Sequence, residues 1–149
     1  MPQATQAISI LIADDNLDDR RLLARAMQEV GIPNKIDFVN DGEALLDFLR
    51  LSPKGPGGPS LPGLVLLDLN MPRLDGREAL KAIRSDPRLR LIPVVILSTS
   101  NYKQDVLDCY HLGANAVMVK PLGYAQFLNM VTMIGRYWLE QVQLPAQFD

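Results

Sequence analysis

The chain has 149 residues, 48% of them hydrophobic and 21% charged, within the usual size range of a single globular domain. Fifteen Lys and Arg against seventeen Asp and Glu leave a net charge of −2 without a basic block to track a phosphate backbone, which argues against nucleic-acid binding. No apolar run approaches the roughly 18 residues of a membrane span. Residues 1–7 lack the layout of a signal peptide, and the single cysteine, Cys109, permits neither an internal disulfide framework nor a Cys-built zinc cage, so a soluble, cytoplasmic protein is expected.

The first apolar run, Ile8–Ala13, reads as a strand and leads into a helical pattern at 17–30, where Leu22, Leu23, Ala26, Met27 and Val30 recur at spacings of three and four. A second strand at Lys35–Val39 precedes a helix at 42–51. Ser52–Gly63 then holds four Pro and four Gly in twelve residues and can propagate neither a helix nor a ladder. It is read as an exposed loop, since the pieces on either side are too short to build separate cores. The pattern continues with a strand at Leu64–Asp68, an Asp75-Gly76 turn, and a helix at 76–85. It ends with strands at Pro93–Leu97 and Ala116–Val119 and helices at 103–112 and 123–142. Cys109 and His111, two apart on a helix, do not share a face and read as a buried thiol and a surface imidazole. Four of the five strands are apolar almost throughout, as in a parallel sheet covered on both sides. The βα rhythm predicts an α/β fold with a doubly wound, flavodoxin-like five-stranded sheet, order 2-1-3-4-5, and five helices, the last extended.

In such a sheet, chemistry gathers outside the carboxyl ends of the strands. The first strand ends in Asp14-Asp15, the third in Asp68, the fourth in Ser98-Thr99 and the fifth in Lys120-Pro121. The strand order makes the first and third neighbours and brings three carboxylates together, which repel unless a cation compensates them. A hard cation with oxygen ligands, Mg²⁺, fits that need and takes few carboxylates plus phosphate oxygens. Asp68 is the candidate nucleophile toward phosphorus, with Lys120 and Ser98 placed to meet phosphoryl oxygens. Phosphatases that form an aspartyl phosphate use a second Asp two positions on as acid and base. Here that position is Asn70, which transfers no proton, so the acyl phosphate is expected to persist as a signal and the protein is expected not to be an enzyme. Each residue alone has a plainer reading: Asp14 and Asp15 as helix caps, the segment after Asp68 as an ordinary turn, Lys120 as a solvated lysine. Their coincidence at four strand ends favours the phosphoryl site. Two rival functions remain open at this point, a small phosphatase and an interaction scaffold that keeps the fold without using phosphate.

Asp14-Asp15, Asp68-Leu69-Asn70-Met71-Pro72 with Asp75-Gly76, Ile92-Pro93-Val94-Val95 leading to Ser98, and Lys120-Pro121 together resemble the receiver domain of two-component response regulators, over about residues 8–135. The resemblance implies that Asp68 is phosphorylated by the phosphohistidine of a sensor histidine kinase. It further implies that Asp15 and Asp68 bind Mg²⁺, that Asp14 holds a metal-bound water, that Asn70 contributes its backbone carbonyl, and that Ser98 and Lys120 sense the phosphoryl group. Two positions depart from the pattern. Many receivers carry Tyr or Phe three residues before the lysine, where this chain has Val117, and Thr99 stands where Ala or Gly is common, narrowing access to the phosphate.

The expected organisation is one receiver domain over 1–149, with a core at about 8–135, an extension at about 136–149 and no output domain. The tail Tyr137–Pro145 resembles the C-terminal extension of response regulators that serve cyanobacterial phytochromes and bacteriophytochromes, which implies a phytochrome-type kinase partner. Phe127, Leu128, Met130, Val131, Met133, Ile134, Tyr137, Trp138, Leu139 and Val142 cover more of the last helix than one core-facing stripe needs. A homodimer through that helix and tail, anchored by Tyr137 and Trp138, would cover the surplus; the alternative is that Trp138 folds back on its own domain.

Overall fold

The computed structural model describes residues 8–51 and 61–148, so most of the Ser52–Gly63 segment lies outside the described residues. Its strands are β1 (Ile10–Ala13), β2 (Ile36–Val39), β3 (Leu64–Asp68), β4 (Val94–Ser98) and β5 (Ala116–Val119). The intervening helices are α1 (Leu17–Val30), α2 (Gly42–Leu51), α3 (Gly76–Ser85), α4 (Lys103–His111) and α5 (Tyr124–Ile134). The strands form one parallel sheet in the order β2-β1-β3-β4-β5, as the alternation of elements predicts.

The two faces of the sheet fill two cores. Leu11, Ala13, Val65, Leu67, Val94 and Ile96 face α2, α3 and α4, packing against Leu45, Leu49, Leu80, Ile83 and Cys109. Ile10, Ile12, Leu64, Leu66, Val95 and Leu97 face α1 and α5, against Leu23, Met27, Phe127, Met130, Val131 and Ile134. Burial on both faces explains why these central strands read as continuous apolar runs. β5 is equally apolar but forms the sheet edge, so its side chains are half-buried and Val119 is exposed. Its free edge is partly covered from α4, where the Tyr110 hydroxyl accepts the Val117 N–H at 3.2 Å.

Local signals place the helix ends. Asn16 caps α1, its side chain accepting the Asp19 N–H, and Gly31 closes that helix in the left-handed region at φ 84°. Asp75 caps α3 by accepting the Glu78 N–H at 3.0 Å. Gly76 is required by close approach: a Cβ there would lie 2.6 Å from the Asp68 carbonyl oxygen. The first turn of α3 therefore packs directly onto the end of β3. Arg84 ties α3 to the opposite end of the sheet, donating to the carbonyls of Gly113, Arg90 and Ile92 and to Asn115 Oδ1.

The last helix does not run uniformly to 142. Beyond α5, Gly135–Gln141 widens into a π-helix closed by Val142 N–H donating to Tyr137 O at 2.8 Å. Leu139 and Leu144 are buried, and half-buried Trp138 packs against the α1/α5 core. Trp138 thus folds back on its own domain, with its ring edge-on to Tyr137 at 5.3 Å, and Tyr137 alone of the two aromatics is exposed. Among the described residues, no helix is long and apolar enough to cross a membrane.

Candidate functional site

Functional groups from the carboxyl ends of β1, β3 and β5 meet because β1 and β3 are paired and the long side chain that follows β5 spans the end of β4 to reach them. Asp14 follows β1 directly, with its N–H on Val39 O, and Asp68 is the final residue of β3. Lys120 follows β5, its N–H bound to Ser98 O at 2.7 Å. Its side chain crosses the sheet end and lies buried, at 5% exposure, among carboxylates. The ammonium donates to Asp68 Oδ2 at 3.1 Å and lies 2.9 Å from Asp14 Oδ2 and 2.8 Å from Asp19 Oδ2. Three N–H groups thus face three carboxylates. Asp14 Oδ2 takes the ammonium by charge, outside good hydrogen-bonding directions, and so keeps unsatisfied acceptor capacity at a buried position.

Burial is the main effect on Asp68. It pushes the carboxyl from 3.8 up to about 6, and the neighbouring Asp14 charge adds to the rise while Lys120 opposes it. For Lys120, burial alone would lower the pKa, but the contacts with Asp19, Asp14 and Asp68 outweigh it and hold the ammonium above the ordinary lysine value. The site is therefore a fixed cation beside a carboxylate that is costly to keep charged.

Asp15 points outward into an open cleft of about 470 Å³ shared with Asn16, Leu17, Asp68, Asn70, Thr99 and Lys120. Asp14, Asp15 and Asp68 each bring a carboxylate oxygen within 4.8 Å of the others. The set fits a hard divalent cation: oxygen donors only, one of them under-satisfied and one open to solvent, with an excess of negative charge. Asn70 sits at the cleft with its N–H on Asp68 Oδ1 at 3.3 Å. Ser98, buried at the end of β4, accepts the Ser100 N–H on its hydroxyl at 3.0 Å, which leaves its O–H to donate. Of the residues singled out, Asp15, Asp68, Asn70, Thr99 and Lys120 line that cleft, while Asp14 and Ser98 lie buried at the adjoining strand ends. Neither Asp14 nor Asp15 caps α1; Asn16 does, while Asp14 Oδ1 accepts the Asn16 N–H at 2.8 Å.

Asp19 joins the site without a motif in the sequence to mark it. It occupies the third position of α1, three after the cap, where an acidic side chain ordinarily turns back to the cap's own N–H. That N–H is already taken by Asp14, so Asp19 is free to reach Lys120. The spacing of Asp14, Asn16 and Asp19 carries this signal, though it becomes legible only once Lys120 is known to face α1.

Residues 10–132 match the response regulator receiver domain family. The chain belongs to that family. Among its relatives, the "Probable methanogenesis regulatory protein FilR2" of Methanothrix harundinacea is 40% identical over 92% of this chain and 87% of its own length. The response regulator Rcp1 of Synechocystis is 38% identical over 92% of each protein, and its Mn²⁺-bound crystal structure superposes with a TM-score of 0.82 at 37% identity, covering 93% of this chain and 99% of Rcp1. The phosphorylated cyanobacterial phytochrome response regulator RcpA gives a TM-score of 0.84 at 37% identity over the same shares. The receiver fold and the homology to phytochrome response regulators are thus established for this chain. The observed sheet is the one the resemblance implies.

Proposed function

We propose that this receiver accepts a phosphoryl group on Asp68 from a sensor histidine kinase in a Mg²⁺-dependent transfer, and relays the signal through altered protein contacts. The observation that carries the reading is the buried Lys120 ammonium fixed on Asp68 at the end of β3, a cation placed where a phosphoryl oxygen would arrive. In the transfer, an Asp68 carboxylate oxygen forms the new O–P bond while the P–N bond of the donor phosphohistidine breaks and its electron pair leaves with the imidazole. Lys120 pairs with one phosphoryl oxygen and the Ser98 hydroxyl donates to another. Asp15, Asp68 and the Asn70 main-chain oxygen would hold Mg²⁺, with Asp14 orienting its water. When bound, the ion neutralises carboxylate and phosphoryl charge together. Asn70 offers no proton transfer, which supports a stoichiometric acceptor over a phosphatase.

We take the whole chain as one receiver domain acting in the cytoplasm. The kinase we assign is of the phytochrome type, supported by the likeness to RcpA over 93% of the chain and by the tail. FilR2, at 40% identity, favours a second reading in which a kinase of another sensory class is the donor. Phosphotransfer from a purified phytochrome kinase, timed against an unrelated histidine kinase, separates them: comparable rates would remove the phytochrome assignment. For self-association we assign the exposed Tyr137 as the anchor, with Trp138 occupied by its own core. Tyr137→Arg should sediment as a monomer, and an unchanged dimer would place the contact elsewhere.

The acceptor assignment is tested by intact-protein mass spectrometry after incubation with acetyl phosphate and Mg²⁺. Wild type should gain one phosphoryl group, absent without Mg²⁺ and absent in Asp68→Asn. Labelling of Asp68→Asn would move the acceptor to another residue.

A further inference from the structure

Asp14, Asn16, Asp19 and Lys120 form a closed ring of polar contacts. Asp14 Oδ1 accepts the Asn16 N–H, Asn16 Oδ1 accepts the Asp19 N–H, and Asp19 Oδ2 and Asp14 Oδ2 both meet the Lys120 ammonium. Every link is within 3.0 Å, and the Asp19 contact is the shortest of the three that the ammonium makes. Asp19 is placed by the first turn of α1 and lies on the wall of the cleft that opens onto Asp68.

We propose that Asp19 is a positioning residue for Lys120 that tempers phosphoryl chemistry at Asp68, holding the ammonium from α1 and so weakening the site's grip on the phosphoryl group. The inference rests on the acceptor reading above. Its sign follows from charge. Converting the Asp68 carboxylate to an acyl phosphate makes the side chain more negative, and Lys120 is the protein's own cation for that added charge. A carboxylate bound to the same ammonium neutralises part of it and repels the incoming group directly. Both effects disfavour the phosphorylated state relative to the free one. Asp14 shares the ammonium as well, but it also holds the turn into α1, whereas the Asp19 side chain has no other described partner.

The probe is beryllium trifluoride with Mg²⁺, a phosphoryl mimic whose binding to the full-length chain is read by ¹⁹F NMR without turnover. Asp19→Asn and Asp19→Ser each remove the charge and leave the capped backbone N–H untouched. Both should bind the mimic about three- to tenfold tighter than wild type, the range of one partly screened charge contact. Both should also keep a phosphoryl group from acetyl phosphate correspondingly longer. Asp18→Asn makes the same charge change next door, on a side chain with no described contact to Lys120, and should stay within about twofold of wild type. A damaged fold would weaken binding, so tighter binding reports on the ammonium. Equal or weaker binding by the Asp19 variants overturns the proposal, as does equal tightening by Asp18→Asn. If wild type itself binds no mimic, the acceptor reading falls and this inference with it. Binding by wild type without a gain in the Asp19 variants sinks the inference alone.

Discussion

The carboxyl of Asp68 is expected to destabilise the protein that carries it, and Asp68→Asn should make this measurable. A group that titrates at about 6 in the fold and at 3.8 in its ordinary state favours folding when neutral and opposes it when charged. The folded pKa is the higher one, so the stability of the neutral form is fully present below 3.8 and is lost as pH rises through 6. Each tenfold difference in proton affinity corresponds to about 1.4 kcal/mol, which puts the cost of the charged form at about 3 kcal/mol above neutral pH. Asn is close to the neutral carboxyl in shape and leaves Lys120 its contacts with Asp14 and Asp19. In chelator, with metal removed, urea unfolding at pH 7.5 should show Asp68→Asn more stable by about 3 kcal/mol. With a slope of roughly 2 kcal/mol per molar urea, the midpoint would rise by about 1.5 M. At pH 5 the gain should shrink to about half, because wild type is then largely protonated at this site. A variant no more stable at pH 7.5, or a gain that fails to shrink toward pH 5, would refute the argument that burial dominates at Asp68.

The same titration governs reactivity: labelling by acetyl phosphate needs the charged carboxylate, so its rate should fall about tenfold per pH unit on the acid side, with the midpoint moved below 6 by Mg²⁺. A rate that climbs toward pH 5 would contradict it. Asn16→Ala removes the cap of α1 and should cost about 1 kcal/mol in thermal or urea unfolding. It should also shift the Asp68→Asn and Asp19 effects measured in the same background, since Asn16 links Asp14 to Asp19. Gly76→Ala places a Cβ 2.6 Å from the Asp68 carbonyl oxygen, so about 1–3 kcal/mol of destabilisation is expected together with slower labelling. Unchanged melting and labelling would show that α3 can withdraw freely from the end of β3.

The sheet order and the meeting of Asp14, Asp15, Asp68 and Lys120 were legible because they follow from one periodic pattern and from the rule that chemistry lies at strand ends. Strand position was less so. β5 is as apolar as β4, and nothing in its four residues marks it as an edge; only the count of elements does. The role of Asp19 was hidden for a different reason. A first-turn acid on a helix is common, favoured by the helix dipole alone, and its partner is 101 residues away in sequence. The change of pitch at Gly135 was equally silent, since Gly135–Gln141 carries no proline and its apolar spacing suits an ordinary helix. The sequence left Trp138 between two environments, and the wider turn and the burial of Leu139 and Leu144 go with its inward position.

That wider turn makes the tail a phase adjuster. In an ordinary helix each residue advances about 100° around the axis, and a turn closed five residues back advances less. Which aromatic of the Tyr137-Trp138 pair looks outward is thus set by pitch rather than by composition. Deleting one residue just ahead of Tyr137 would rotate everything beyond it by about a quarter turn and bring Trp138 to the outward position, whereas inserting one there would carry both aromatics toward the core. Chains with the same tail residues can therefore present different faces to a neighbour, and a one-residue change in spacing is a short route from one assembly to another.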